Sequence, residues 1–371
     1  MRLKKSFFIN ILLVFILLFS MFSTYVEANE TDSPAPVDTQ ATKEIIEKNL
    51  NLYAKSCILI ERSTGRTAYE KNADEKVYPA STTKILTAIV VLEHCDLNDI
   101  VTITPEMITP IPVNYKTAAL RPGEQVTVDE LLHVLLIPSA NDAGYALAIH
   151  ISGSVDEFSK LMNEKARQIG CENSNFTNPS GIHNSNHYST ARDMAKIGIC
   201  AMNYPHIMDI MCKTEYTLHE NQFNSRHYTT TNTLITPNEK NYYEFANGMK
   251  TGFTNQAGSC IIATAKKDNM EFLAVVLGAP EPDANVTYRD VDCKTLFEYG
   301  FANYDEITKT DSPVLEFLKS IFSKELSITV IFNFALIILA ILLVSVMLEV
   351  TRNKKEKVKP TKKKDKKQKN K

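Results

Sequence analysis

Ser327 to Leu348 reads SITVIFNFALIILAILLVSVML, a run without a single charged residue. At about 1.5 Å of rise per residue a helix of that length crosses a ~30 Å hydrocarbon core. The run therefore predicts a transmembrane helix at 327–348 and fixes what lies on each side of it. Behind it, EVTRNKKEKVKPTKKKDKKQKNK (349–371) sets twelve Lys or Arg against Glu349, Glu356 and Asp365. A basic tail can serve nucleic acid, but beside a membrane span the positive-inside rule accounts for it and places the tail in the cytoplasm. The body of the chain is then expected outside, on the cell membrane as a single-pass protein.

The opposite end agrees. MRLKKSFFINILLVFILLFSMFSTYVEA puts Arg2, Lys4 and Lys5 ahead of an apolar run and closes on Val26, Glu27 and Ala28, the pattern of an export signal over 1–28. An uncleaved anchor is the alternative, disfavoured because the run is short and an acidic, polar stretch follows. Residues 29–42 form a polar, proline-containing linker, 43–304 one large domain or two closely packed lobes, and 305–326 a stalk.

The chain carries 41 Lys and Arg against 43 Asp and Glu, but fifteen of the basic residues lie in the leader and the tail, so the exported part is strongly acidic. Such a surface argues against nucleic acid as a partner. The seven cysteines (Cys57, Cys95, Cys171, Cys200, Cys212, Cys260 and Cys293) are an odd number with no CxxC or other metal spacing. Several sit in apolar surroundings such as SCILIE and GSCIIATA, where a free thiol packs as a small core residue. A structural disulfide is compatible with them but not readable. His183 and His187 in HNSNH lack a third ligand, so the sequence calls for no metal.

Within the domain, Ser56–Glu61 and Thr67–Lys71 flank STGR and read as a hairpin, as do Gly258–Lys266 and Met270–Gly278 about KDN. Helical periodicity covers Lys84–His94, Asp129–Ile137, Asp142–Ile151, Val155–Ile169 and Ala191–Met202. Strands at both ends with helices between predict an α/β (α+β) fold, an antiparallel sheet built from both ends of the domain and packed on a helical body.

Three short segments carry chemistry. In VYPASTTKILTAIVVLEH, Ser81 follows a proline-containing turn and Lys84 stands three positions on, one helix face apart. A lysine among Ile85, Leu86, Ile89 and Val90 is desolvated, loses basicity, and can take a proton from serine. The alternative is a capping serine beside a snorkelling lysine. In LLHVLLIPSANDAGYALAIH, Pro138 breaks two helices and leaves Ser139 and Asn141 at a cleft or, on the plainer reading, as helix caps. In NGMKTGFTNQAGSC, Lys250, Thr251 and Gly252 lie on what reads as an edge strand, where charge is often simply solvated and glycine marks a close approach.

Together, Ser-x-x-Lys, Ser-x-Asn and Lys-Thr-Gly in this order form the signature of active-site serine enzymes. With PASTTKILTA, PSANDA, NHYSTARDMAKI and NGMKTGFTNQAGSCIIATA around them, residues from about Leu52 to Tyr304 closely resemble the low-molecular-weight penicillin-binding proteins of peptidase family S11. These are serine-type D-alanyl-D-alanine carboxypeptidases with a β-lactamase-like fold. The resemblance implies Ser81 as nucleophile, Lys84 as general base and Ser139 as proton relay. It also implies Asn141, Lys250, Thr251, Gly252 and Arg289 as substrate-binding residues, and the N–H groups of Ser81 and Phe253 as an oxyanion hole. Gly252 would let the substrate peptide lie close to the strand, and Arg192 would orient the scaffold. Implied partners are the peptidoglycan stem peptide, cut at its terminal D-Ala-D-Ala bond, and β-lactams that acylate Ser81; no cofactor is implied.

The sequence departs from the family pattern at two places. Ala140 stands where glycine is common, and only about twenty residues separate Tyr304 from the apolar run, leaving no room for the β-rich second domain of many relatives. A β-lactamase would need a water-activating Glu followed by Leu-Asn, and CENSNFTNPSG offers Glu172 without them. An endopeptidase acting on cross-links would use the same nucleophile. An inactive membrane-anchored binding protein would not need Ser81, Lys84, Ser139, Asn141, Lys250 and Thr251 all intact. Oligomeric state is not legible.

Overall fold

The computed structural model describes residues 50–309 except 110, 219–222, 224 and 284–285. The expected export signal, linker, stalk beyond 309, membrane helix and basic tail lie outside the described residues; among those described, no helix is long and apolar enough to cross a membrane.

The chain opens with the hairpin β1 (Ser56–Glu61) and β2 (Thr67–Lys71), closed by Glu61, whose carboxylate accepts from Ser63 and Thr64 N–H. A single 3-10 turn (Ala80–Thr83) runs into α1 (Lys84–His94). Next come β3 (Ile100–Thr102), β4 (Gln125–Thr127), α2 (Val128–Leu136), α3 (Asn141–Ser152), α4 (Val155–Gln168), α5 (Ala191–Ala201) and α6 (Pro205–Met211). The C-terminal part adds the hairpin β5 (Glu215–Leu218) and β6 (Arg226–Thr229), the strands β7 (Ala246–Thr254), β8 (Gly258–Lys267) and β9 (Met270–Ala279), and α7 (Tyr288–Ala302).

Five strands form one antiparallel sheet in the order β2-β1-β9-β8-β7. Both faces are covered, so the inner strands are apolar throughout instead of alternating. Ile58, Ile60, Ile262, Leu273, Val275 and Leu277 enter the core shared with the helical body. Their neighbours Leu59, Ile261, Ala263, Phe272 and Val276 enter a second core beneath α7, with Leu296 and Phe297. The fold is α/β with an antiparallel sheet built from both ends of the domain, as the sequence predicts. Arg192 at the start of α5 ties to Asp74 and Glu70 at 2.8 Å each, which joins the helical body to the hairpin.

Two differences have physical reasons, and one question the sequence left open is answered. α7 had no clear sequence signature because its acidic Asp290 and Asp292 are buried: Asp292 accepts from Tyr53 and Ala54 N–H, and Asp290 from Thr233. The domain runs past 304, since a further helical turn (Tyr304–Ile307) buries Ile307 and presents its carbonyl to Arg66, so a stalk does not start at 305. All seven cysteines are free thiols, so no disulfide joins them.

Candidate active site

The turn bearing Ser81 is held by Thr82, whose hydroxyl donates to Pro79 O at 2.6 Å, and by Ala80 in the left-handed region (φ 48°). Three residues later, Lys84 opens α1 fully buried, and its ammonium reaches Ser81 Oγ at 2.9 Å, Asn141 Oδ1 at 2.9 Å and Ser180 O at 2.7 Å. Burial pulls its pKa from 10.5 down to about 7; the charge of Asp142 opposes the shift and that of Lys116 adds to it. The i, i+3 spacing thus delivers a hydroxyl in contact with an amine of tuned basicity.

Between α2 and α3 the chain breaks at Pro138, and Ser139 takes a left-handed φ of 70°. Ser139 lines the cleft without a hydrogen bond to Ser81 or Lys84. Asn141 is more tightly held: its Nδ2 donates to Lys116 O at 2.8 Å while Oδ1 faces Lys84. Each end of that amide keeps one further hydrogen-bonding position.

β7 is the edge strand expected, yet the solvated-lysine reading fails, because Lys250 is 0 % exposed. Its ammonium lies 3.1 Å from Thr251 O and 3.5 Å from Thr231 Oγ1. Burial pushes its pKa well below 10.5, and the positive charges of Lys84, Lys116 and Arg289 push it further. Thr251 hydrogen-bonds Thr231 through their hydroxyls. Gly252 marks a close approach of two backbones. A Cβ there would stand 2.7 Å from Ser81 N and 3.2 Å from Thr82 N, so the missing side chain makes room for the Ser81 turn itself.

Ser81, Ser139, Asn141, Thr251, Gly252, Phe253 and Arg289 line one cleft of about 610 Å³. Lys116 and Arg289 stand in it, Lys84 and Lys250 lie beneath its floor, and no carboxylate is among its lining residues. Such a cleft attracts an anion. Glu172 is exposed and is not part of the lining.

Sequence reasoning missed Ser180, Lys116 and Thr231. Ser180 contributes a backbone carbonyl, held by Asn178 Oδ1, which accepts from Ser180, Gly181 and Ile182 N–H at 3.1, 2.8 and 3.1 Å. The signal was present in TNPSG, an Asn turn ending on glycine. That glycine is obligatory: Gly181 has φ 75°, and a Cβ on it would meet Ala80 O at 1.8 Å. His187 is no metal ligand, since its Nδ1 accepts from Thr177 N–H at 3.1 Å and its Nε2 meets Thr83 Oγ1 at 2.9 Å. Burial pushes its pKa down to about 3. His183 stacks edge-on against Tyr78.

Comparison with known proteins matches residues 41–281 to the family described as D-alanyl-D-alanine carboxypeptidase, peptidase S11. The chain is 38% identical over 259 residues to D-alanyl-D-alanine carboxypeptidase DacF of Bacillus subtilis, covering 68% of this chain and 63% of the relative. It is 35% identical over 261 residues to D-alanyl-D-alanine carboxypeptidase DacA of Haemophilus influenzae, with coverage of 68% and 63%. The match thus spans less than two thirds of the length of these curated relatives. Among solved structures, the Streptomyces K15 DD-transpeptidase superposes with a TM-score of 0.63 at 31% identity, covering 68% of this chain and 98% of that one.

Proposed function

The chain belongs to the D-alanyl-D-alanine carboxypeptidase family, and from that premise we propose that it is a serine hydrolase removing the terminal D-alanine from peptidoglycan stem pentapeptides. The observation that carries this reading is the 2.9 Å contact between Ser81 Oγ and the buried, weakly basic Lys84 amine.

In the proposed reaction, neutral Lys84 takes the Ser81 proton while Oγ attacks the carbonyl of the penultimate D-alanine. Negative charge on that oxygen meets the N–H groups of Ser81 and Phe253, which Gly252 allows to converge; one such donor is worth about 3 kcal/mol. Ser139 passes a proton to the departing amine, D-alanine leaves, and water hydrolyses the acyl-enzyme. Asn141 holds the substrate amide with its remaining hydrogen-bonding position. Thr251 and Arg289 receive the terminal carboxylate in a cleft lined by no acidic side chain, and Lys250 supports it from beneath the floor. β-Lactams would acylate the same serine. The leader, the apolar run at 327–348 and the basic tail support a domain anchored outside the cytoplasmic membrane.

Full-length chain incubated with a stem peptide ending in D-Ala-D-Ala tests the reading, with free D-alanine assayed. Release by wild type and none by Ser81→Ala is expected; a folded wild type that releases nothing overturns it.

A further inference from the structure

α1 and α3 both begin in the active site, with Lys84 and Asn141, and both end in a second cluster of reactive side chains. Cys95 is the residue that closes α1, its N–H bonded to Val91 O; Asp99 follows in the next turn; His150 lies in the last turn of α3. The Sγ of Cys95, a carboxylate oxygen of Asp99 and a ring nitrogen of His150 lie within 4.8 Å of one another. We propose that these three side chains form a structural site for a borderline-soft divalent transition metal, Zn²⁺ first, that fastens the far ends of the two helices bearing Lys84 and Asn141.

The donor set argues for that ion. Sulfur, imidazole nitrogen and one carboxylate oxygen suit Zn²⁺, whereas Ca²⁺ and Mg²⁺ take oxygen ligands almost exclusively. Zinc bonds of about 2.0–2.3 Å set tetrahedral ligands roughly 3.5 Å apart, so the cluster closes with side-chain adjustments of about 1 Å. Cys95 is half-buried while Asp99 and His150 are exposed, which leaves a side open for water as fourth ligand.

The backbone under the ligands is already fixed. Asp96 N–H donates to Asp99 Oδ2 at 3.1 Å, which orients the carboxylate and leaves Oδ1 available. Val128 N–H donates to Asp99 O and Asp129 N–H to Leu97 O, both at 3.0 Å, pinning the loop to the start of α2. Two helix C-termini meet here, and their partial negative charge favours a cation. Binding breaks the Cys95 S–H bond, releases the proton to solvent and forms a sulfur–metal bond. The cluster escapes a reading of the sequence because His150 lies in a different helix, far along the chain from Cys95 and Asp99.

The test uses full-length protein, reduced and stripped of metal, titrated with Co²⁺ while the near-ultraviolet thiolate-to-cobalt absorption is followed. One equivalent should saturate the band, Zn²⁺ should displace it, and Zn²⁺ should raise Tm. Cys95→Ser should abolish the band. His150→Ala should weaken Co²⁺ binding by more than the roughly 10- to 100-fold that loss of an outer-shell partner costs. Cys212→Ser, which removes an exposed thiol elsewhere, should change neither readout. Circular dichroism verifies that each variant is folded. No band in folded wild type, or a band that survives Cys95→Ser, overturns the proposal.

Discussion

A side chain on Gly252 would place its first carbon 2.7 Å from the backbone nitrogen of Ser81. The two residues are far apart in sequence, so this approach is how the sheet edge sets the position of the serine. Gly252→Ala forces one of them to move by several tenths of an ångström. The acylation rate with a fluorescent penicillin should fall by about 100-fold, the typical cost of misplacing reacting groups. An unchanged rate would mean that the strand yields freely.

Lys84 must be neutral to accept the serine proton, and burial brings its pKa to about 7. Acylation should therefore rise with pH across neutrality and level off above about 8. Below about pH 6 it should drop close to tenfold for each unit of acidity. Stopped-flow acylation between pH 5 and 9 reads this limb, and a flat profile would remove Lys84 from the role of base.

Arg289 stands in a cleft that holds no acidic side chain. Arg289→Ala should raise KM for a peptide with a free C-terminal carboxylate by about 10- to 100-fold, the range of a charge-assisted hydrogen bond. The same peptide ending in an amide should respond little to the substitution. Equal effects on both peptides would assign the arginine to scaffolding.

His187 is buried between Thr83 and Thr177 with a pKa near 3, against about 6.5 in an unfolded chain. Between those values the unfolded state binds the extra proton, so stability is fully present above pH 6.5 and declines as pH falls toward 3. The slope is at most roughly 1.4 kcal/mol per pH unit. Denaturant titrations at pH 7, 5 and 4 should follow it. His187→Asn, which takes up no proton, should flatten that acid limb even if it lowers stability overall.

α1 was legible to the residue because one stretch combines a proline-containing turn with an apolar run of helical period. The three motifs were legible as types and order, and the structure brings Ser81, Lys84 and Asn141 into contact. Ser180 was missed because TNPSG announces the turn but not that its backbone carbonyl meets Lys84. The burial of Lys250 was hidden because Thr231 and the Ala80–Thr83 turn meet β7 only in the folded chain, the first at Lys250 and the second at Gly252. β5 and β6 were missed because EYTL and RHYT are only four residues each, too short for their alternation to stand out, although Leu218 is buried in the core with Tyr216 and Tyr228 against it.

The order β2-β1-β9-β8-β7 also governs when this domain can form. β1 pairs with β9, joining segments roughly two hundred residues apart in the chain. Loop closure on that scale precedes any reward from the central ladder, so folding should be slow and should wait until β9 has been synthesised. Until then β1 and β2 remain a lone hairpin, marginal in water. A polypeptide of this topology therefore commits to its fold at the centre of the sheet last, once nearly the whole domain is available.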